Sequence, residues 1–147
     1  MPGVTSRAAS YQELIEGKVW LGDLSDVTAL VEKEHCDIVI DLRGEKEPTG
    51  KENPQHYLLV PMFDGCENQE SRIQEAVDAV EKLVHSRHKV ALHCSGGLSR
   101  AGCVATALLV RFGKASTIDD AEQLLRKMRP TISIHPKLMR SLNNLYA

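Results

Sequence analysis

Three times between residues 18 and 93 the chain condenses into a short apolar run: "KVWLGDL" from residue 18, "CDIVIDL" from residue 36 and "KVALH" from residue 89. Brief runs of this kind, rich in Val, Ile and Leu, read as strands buried on both faces, the signature of a parallel sheet. Parallel strands need crossovers, and helical patterns lie between the runs. In "SDVTALVEKEH", Ser25 is placed to cap a helix that turns Val27, Leu30 and Val31 to one side. Residues 67 to 88 carry Ile73, Ala76, Val77, Val80, Leu83 and Val84 at helical spacing. "HYLLVPMF" is a further strand, and "LSRAGCVATALLVRFG" a mostly buried helix closed by Gly113. Thr117 caps a helix bearing Ile118, Ala121, Leu124, Leu125 and Met128; Pro130 stops it, and Pro136 opens a last one. "RGEKEPTGKENPQ", dense in charge, Gly and Pro, is an exposed loop. The order predicts an α/β fold with a mainly parallel central sheet flanked by helices, and ligands at the carboxyl ends of the strands. At 147 residues the chain fits one domain, 1–147, with residues 1–10 a flexible or extended N-terminus.

One strand exit stands apart. After "KVAL" comes "HCSGGLSRAG", residues 93 to 102, with a cysteine leaving the strand, two adjacent glycines, and an arginine six residues after the cysteine. Glycines at a strand exit let backbone N–H groups converge on an anion, and a following helix N-terminus adds partial positive charge. The same surroundings lower a thiol from about 8.5 to roughly 3.5–7.5 and so make a nucleophile of it. Arg100 supplies a planar fork of donors that matches phosphoryl oxygens.

Charge and cysteine usage narrow the partners. With 18 basic and 20 acidic residues the net charge is −2, so neither nucleic acid nor an anionic membrane is the expected partner. The longest apolar stretch, "CVATALLV", is too short to span a bilayer. Cys36, Cys66, Cys94 and Cys103 show neither paired zinc spacing nor a disulfide framework, and no secretory signal precedes them. The expectation is a reduced, cytoplasmic monomer. His85 and His88, near a helix end, suit the helix dipole better than a metal.

"HCSGGLSRAG" resembles the signature loop of the cysteine-dependent protein tyrosine phosphatases, His-Cys-x-x-Gly-x-x-Arg, met here by His93, Cys94, Gly97 and Arg100. "VPMFDG" resembles the general-acid segment of the dual-specificity branch, and "RKMRPTISIHPKLMRSLNNL" the closing segment and final helix of its catalytic domains. The resemblance runs from about residue 18 onward. It implies that Cys94 attacks phosphorus, that Arg100 holds the phosphate within a loop of Ser95, Gly96, Gly97, Leu98, Ser99 and Arg100, and that Asp64 is the general acid. Asp41 and Glu67 are the rivals for that role. Gly65 would give the acid loop its shape, and His93 would support the cysteine. No metal or other cofactor is implied.

The implied function is hydrolysis of phosphotyrosine, and of phosphoserine or phosphothreonine, in a phosphoprotein substrate through a phosphocysteine. A phosphate-binding pseudophosphatase or adaptor, a lipid phosphate phosphatase, and sulfur or arsenate chemistry on a thiolate loop are the alternatives. The variable loop positions carry no Lys or Arg, which ranks lipids lower. The loop departs from the family at Ala101, where Ser or Thr is usual; the regenerating liver phosphatases share the alanine. Cys66 or Cys103 could in principle pair with Cys94 under oxidation.

Overall fold

In the computed structural model, residues 11–46, 56–95 and 98–146 are described. Among them, strands β1 (Gln12–Ile15), β2 (Val19–Gly22), β3 (Ile38–Arg43), β4 (Tyr57–Met62) and β5 (Val90–His93) form one sheet in the order β1-β2-β5-β3-β4. β2, β5, β3 and β4 are parallel, and β1 pairs antiparallel with β2 at one edge. The predicted mainly parallel sheet is therefore present, with an antiparallel edge strand that the sequence pattern did not reveal.

Side-chain alternation explains how the sheet is covered on both faces. Val19, Leu21, Ile38, Ile40, Val90 and Leu92 share the larger core with helices α2 (Glu70–His85), α3 (Ser99–Arg111), α4 (Ile118–Met128) and α5 (Pro136–Leu145). Trp20, Val39 and Ala91 belong to a second cluster with Leu30 of the short helix α1 (Val27–Glu32) and Cys36. Each fully buried Leu, Ile or Val contributes about 1.5–3 kcal/mol, which makes the central strands the most strongly held part of the chain.

α2 buries Ile73, Ala76, Val77, Val80 and Val84, the face that the spacing predicts, although it is shorter than 67–88. α3 runs through the middle of the helical layer, with every residue from Arg100 to Leu109 buried. Gly102 permits this depth: a Cβ there would lie 2.9 Å from Ile132 Cδ1 and 3.0 Å from its Cγ1, so α3 sits hard against the 132–134 segment. Thr117 caps α4 by accepting the Asp120 amide, and Pro136 stands in the first turn of α5 as expected.

At α1 the expectation changes. Asp23, not Ser25, makes the cap: its carboxylate accepts the Ser25 amide at 2.9 Å while Asp26 accepts the Asp23 amide at 2.8 Å, closing a reciprocal box around a single 3-10 turn. The helix proper then lasts only six residues, and Val31 is exposed. Residues 1–10 and 47–55, including most of the predicted charged loop, lie outside the described residues.

Candidate active site

β5 is central, and the register sets His93 level with Gly22 on one side and with Asp41 on the other. Cys94 follows at the carboxyl end and is 1% exposed. Its thiol donates to the Ser95 carbonyl oxygen at 3.2 Å, and the Ala101 amide donates to Sγ at 3.4 Å. Burial pushes the thiol above its ordinary pKa and outweighs the opposite pull of the Ala101 amide and the Arg100 guanidinium. Desolvation thus opposes the lowering expected of the loop, whose Gly96 and Gly97 amides lie outside the described residues. In this state desolvation is nearly complete, while the nearest cation is paired with a carboxylate.

The loop enters α3 through Leu98, whose φ of 54° lies in the left-handed region. For a bulky side chain this costs about 1–3 kcal/mol. Burial of the leucine, 4% exposed, offsets the strain, and its carbonyl accepts the Gly102 amide at 2.8 Å. Gly96 and Gly97 lie outside the described residues. Ser99 opens α3 and its Oγ accepts the His135 amide at 2.9 Å, tying the loop to the cap of α5.

Arg100 is 6% exposed and its guanidinium is spread over several acceptors. Nη1 donates to Glu45 Oε1 at 2.5 Å and to the Met62 carbonyl at 3.1 Å; Nη2 donates to Ser95 Oγ at 2.5 Å and to Glu45 Oε2 at 3.2 Å. Nε has no hydrogen-bond partner among the described residues and lies 4.0 Å from Asp64 Oδ2. Asp64 Oδ1 is likewise buried without a hydrogen-bond partner among them. Cys94, Arg100 and Asp64 are thus brought together, from the ends of β5 and β4 and the start of α3.

The acid segment is braced from α5. The Phe63 amide donates to Gln69 Oε1 at 3.2 Å, the Gln69 amide to Ser141 Oγ at 3.1 Å, and Lys137 Nζ to the Gly65 carbonyl at 3.1 Å. Glu67 pairs with Arg140 at the surface. Gly65 itself has no left-handed backbone and open space where a Cβ would stand, so nothing in the structure demands glycine there. The demanding glycine is Gly44, where a Cβ would fall 2.5 Å from two atoms of the Phe63 ring and 2.6 Å from the Met62 carbonyl oxygen.

Asp41 is fully buried. Burial alone would raise its pKa, but hydrogen bonds from Arg43 and from the Tyr57 hydroxyl, the latter at 2.6 Å, hold it below the usual carboxylate range. Arg43 grips both of its oxygens, with Nη2 at 2.7 Å from Oδ2. A carboxylate so occupied is a structural anion, not a proton donor. His93, 2% exposed, donates from Nδ1 to the Cys94 carbonyl at 3.1 Å, with Nε2 4.0 Å from Asp41. Burial depresses its pKa, so the ring is neutral near pH 7 and fixes the Cys94 backbone. Cys103 is buried, its thiol pushed up by desolvation, and Cys66 is exposed; all four cysteines are free.

Glu45 is the site residue that sequence reasoning missed. Its signal was positional: it follows a strand whose carboxyl end faces the same edge as Cys94, yet "RGEKE" carries the composition of a solvated loop.

Comparison with known proteins agrees with this architecture. The family model for the dual specificity phosphatase catalytic domain matches residues 19–147. Human dual specificity protein phosphatase 16 is 35% identical over 79 residues, 53% of this chain and 12% of that protein. Mouse dual specificity protein phosphatase 2 is 26% identical over 132 residues, 86% of this chain and 40% of that one. The chain therefore spans less than half the length of these relatives. Human DUSP28 superposes with a TM-score of 0.79 at 18% identity, covering 97% of each chain. A mouse putative dual specificity phosphatase, solved with zinc tungstate, gives 0.81 at 19% identity and covers 99% of this chain and 92% of its own. The structures carry the fold and the family model carries the lineage: the chain belongs to the dual specificity phosphatase catalytic-domain family.

Proposed function

We propose that the chain is a phosphomonoester hydrolase of phosphoproteins, acting on phosphotyrosine and also on phosphoserine or phosphothreonine, through a phosphocysteine at Cys94. The observation that carries this reading is the convergence of a buried thiol, a buried guanidinium and a carboxyl with a buried oxygen at one strand end.

The thiol first gives its proton to solvent. Sγ attacks phosphorus as the bond to the leaving oxygen breaks, and that oxygen takes the proton of Asp64. Arg100 and the loop amides hold the charge that gathers on the phosphoryl oxygens. Water then attacks the phosphocysteine, Asp64 takes a proton from it, and the P–S bond breaks to give thiolate and inorganic phosphate. His93 fixes the cysteine backbone and Asp41 anchors Arg43; neither enters the proton transfers.

A protein substrate fits better than an inositide headgroup. The described loop positions Ser95, Leu98 and Ser99 bring no cation, and Glu45 sets a negative charge beside Arg100. A reducing, cytoplasmic setting would keep the four free cysteines as thiols. The test is release of p-nitrophenol from p-nitrophenyl phosphate by the parent protein and by Cys94→Ser. Turnover by the parent and none by the variant is the expected result; hydrolysis by Cys94→Ser near the parent rate, or no turnover by either, refutes the reading.

A further inference from the structure

The edge of the sheet where the parallel strands begin, opposite Cys94, carries a second concentration of charge. There the β1–β2 turn brings Lys18, the α1–β3 turn His35 and Asp37, and the α2–β5 turn Arg87, His88 and Lys89 around one cavity of about 500 Å³. The sheet register makes them meet: Val90, the first residue of β5, lies level with Val19 of β2 and with Ile38 of β3. Lys89 and Cys94 flank the two ends of β5, about 16 Å apart by the rise of an extended chain, so a ligand here does not share the phosphate loop.

Three cations, Lys18, Arg87 and Lys89, line this cavity with a single carboxylate, Asp37, in a chain whose net charge is −2. Among the described residues, the side chains of Lys18, His35, Arg87 and His88 make no hydrogen bond or ion pair, whereas Arg43, Arg72, Arg111, Arg126 and Arg140 each hold a carboxylate. Lys89 Nζ donates to the Glu34 carbonyl at 3.1 Å and lies 5.4 Å from the centroid of the Trp20 ring, contacts that leave its charge uncancelled. Service to a helix dipole does not account for the cluster, because Lys82 and His85 already occupy the last turn of α2 and Arg87 and His88 lie beyond its cap. His35 and Arg87 hold left-handed backbones, with φ of 61° and 67°, where the chain leaves a helix for the next strand.

The backbone decides which kind of anion fits. The amides of Gly17, Lys18, Asp37, Arg87, His88 and Lys89 all donate to acceptors within the protein, so no free N–H groups converge here as they do in a cradle for one compact phosphate. Recognition falls to long side chains spread over three turns, and point charges so spaced match several carboxylates along an extended chain. We propose that this cavity is a docking site for an acidic peptide segment, a run of Asp and Glu, on a partner protein. Its cations are solvent-exposed, so the contact is salt-sensitive and serves to steer and hold the partner at a distance from Cys94.

The test needs no turnover and is separate from the hydrolase reading. A fluorescein-labelled peptide of alternating Glu and Gly is titrated with the protein and followed by anisotropy; the parent should bind it, more weakly as salt rises from about 50 to 200 mM, and should not bind the same peptide with Gln for Glu. Arg87→Glu should weaken binding about 3- to 10-fold and Lys18→Glu combined with it further, while Lys127→Glu, which changes the net charge equally on α4, should change it less than about twofold. Thermal melts show that each variant is folded. Amide shifts of isotope-labelled protein on adding the peptide should cluster at residues 17–18, 35–37 and 87–89. No binding by the parent, equal losses in Arg87→Glu and Lys127→Glu, or shifts clustered at residues 94–101 would overturn the proposal. Tighter binding of phosphatidylserine vesicles or of inorganic phosphate than of the peptide, lost in Arg87→Glu, would also overturn it and make the cavity a membrane or small-anion site.

Discussion

Ala101→Ser adds one hydroxyl beside the proposed leaving sulfur. Ala101 is fully buried, and its amide donates to Cys94 Sγ at 3.4 Å, with the Arg100 amide also acting on the sulfur. In the second chemical step Sγ must depart as a thiolate from a site whose burial pushes the thiol pKa upward. Each donor aimed at sulfur therefore lowers the barrier to phosphocysteine hydrolysis more than the barrier to its formation. A hydrogen bond to a charged acceptor is worth about 1.5–3 kcal/mol, from which the crowding of one added oxygen in a packed site is subtracted. A net gain of about 1–2 kcal/mol corresponds to a steady rate raised roughly 5- to 30-fold. Rapid-quench kinetics with p-nitrophenyl phosphate separates the steps: the parent should release a burst of product and then turn over slowly, and the serine variant should shrink the burst relative to the steady phase. No burst in the parent together with an unchanged steady rate in Ala101→Ser would refute the reasoning.

Three further outcomes follow from the same geometry. Asp64→Asn should slow phosphotyrosine peptides by about 100-fold and aryl phosphates with good leaving groups far less, measured as kcat/KM on both; equal losses would remove Asp64 as the acid. Gly44→Ala forces a methyl against the Phe63 ring and the Met62 carbonyl, so chemical denaturation should show a loss of about 1–3 kcal/mol with reduced activity; an unchanged midpoint would mean that this contact yields freely. Asp41, depressed in the folded state, contributes stability that is fully present above its unfolded pKa of about 3.9 and is lost as pH falls through the lower folded value. Asp41→Asn should cost roughly 2–3 kcal/mol at pH 7 and flatten acid unfolding below pH ~4; an acid-unfolding curve that keeps its shape would sink that assignment.

What the sequence made legible was whatever short-range periodicity encodes. The buried strands, the apolar face of α2, the Thr117 cap and the placement of Cys94 at a strand end all follow from residue spacing within a window of a few turns. The pairings that decide the chemistry do not. Glu45 meets Arg100 only because β3 and β5 lie side by side, and Asp41 is a locked anion only because Tyr57 arrives from β4. Leu98 adopts a left-handed backbone where the neighbouring glycines would be the obvious choice, since its side chain is needed in the core. Gly44 and Gly65 look alike as loop glycines, and packing alone tells them apart. Ser25 lost the cap to Asp23 because the chain makes a 3-10 turn before the helix, a one-turn difference that periodicity does not resolve.

The central claim is a covalent phosphoryl group on Cys94. Parent protein mixed with p-nitrophenyl phosphate, quenched in acid within the burst and analysed by intact mass and peptide mapping, should carry one phosphoryl group on the peptide containing Cys94, absent from Cys94→Ser. Phosphate on another residue, or an unmodified protein at a time when product is being released, would contradict the account.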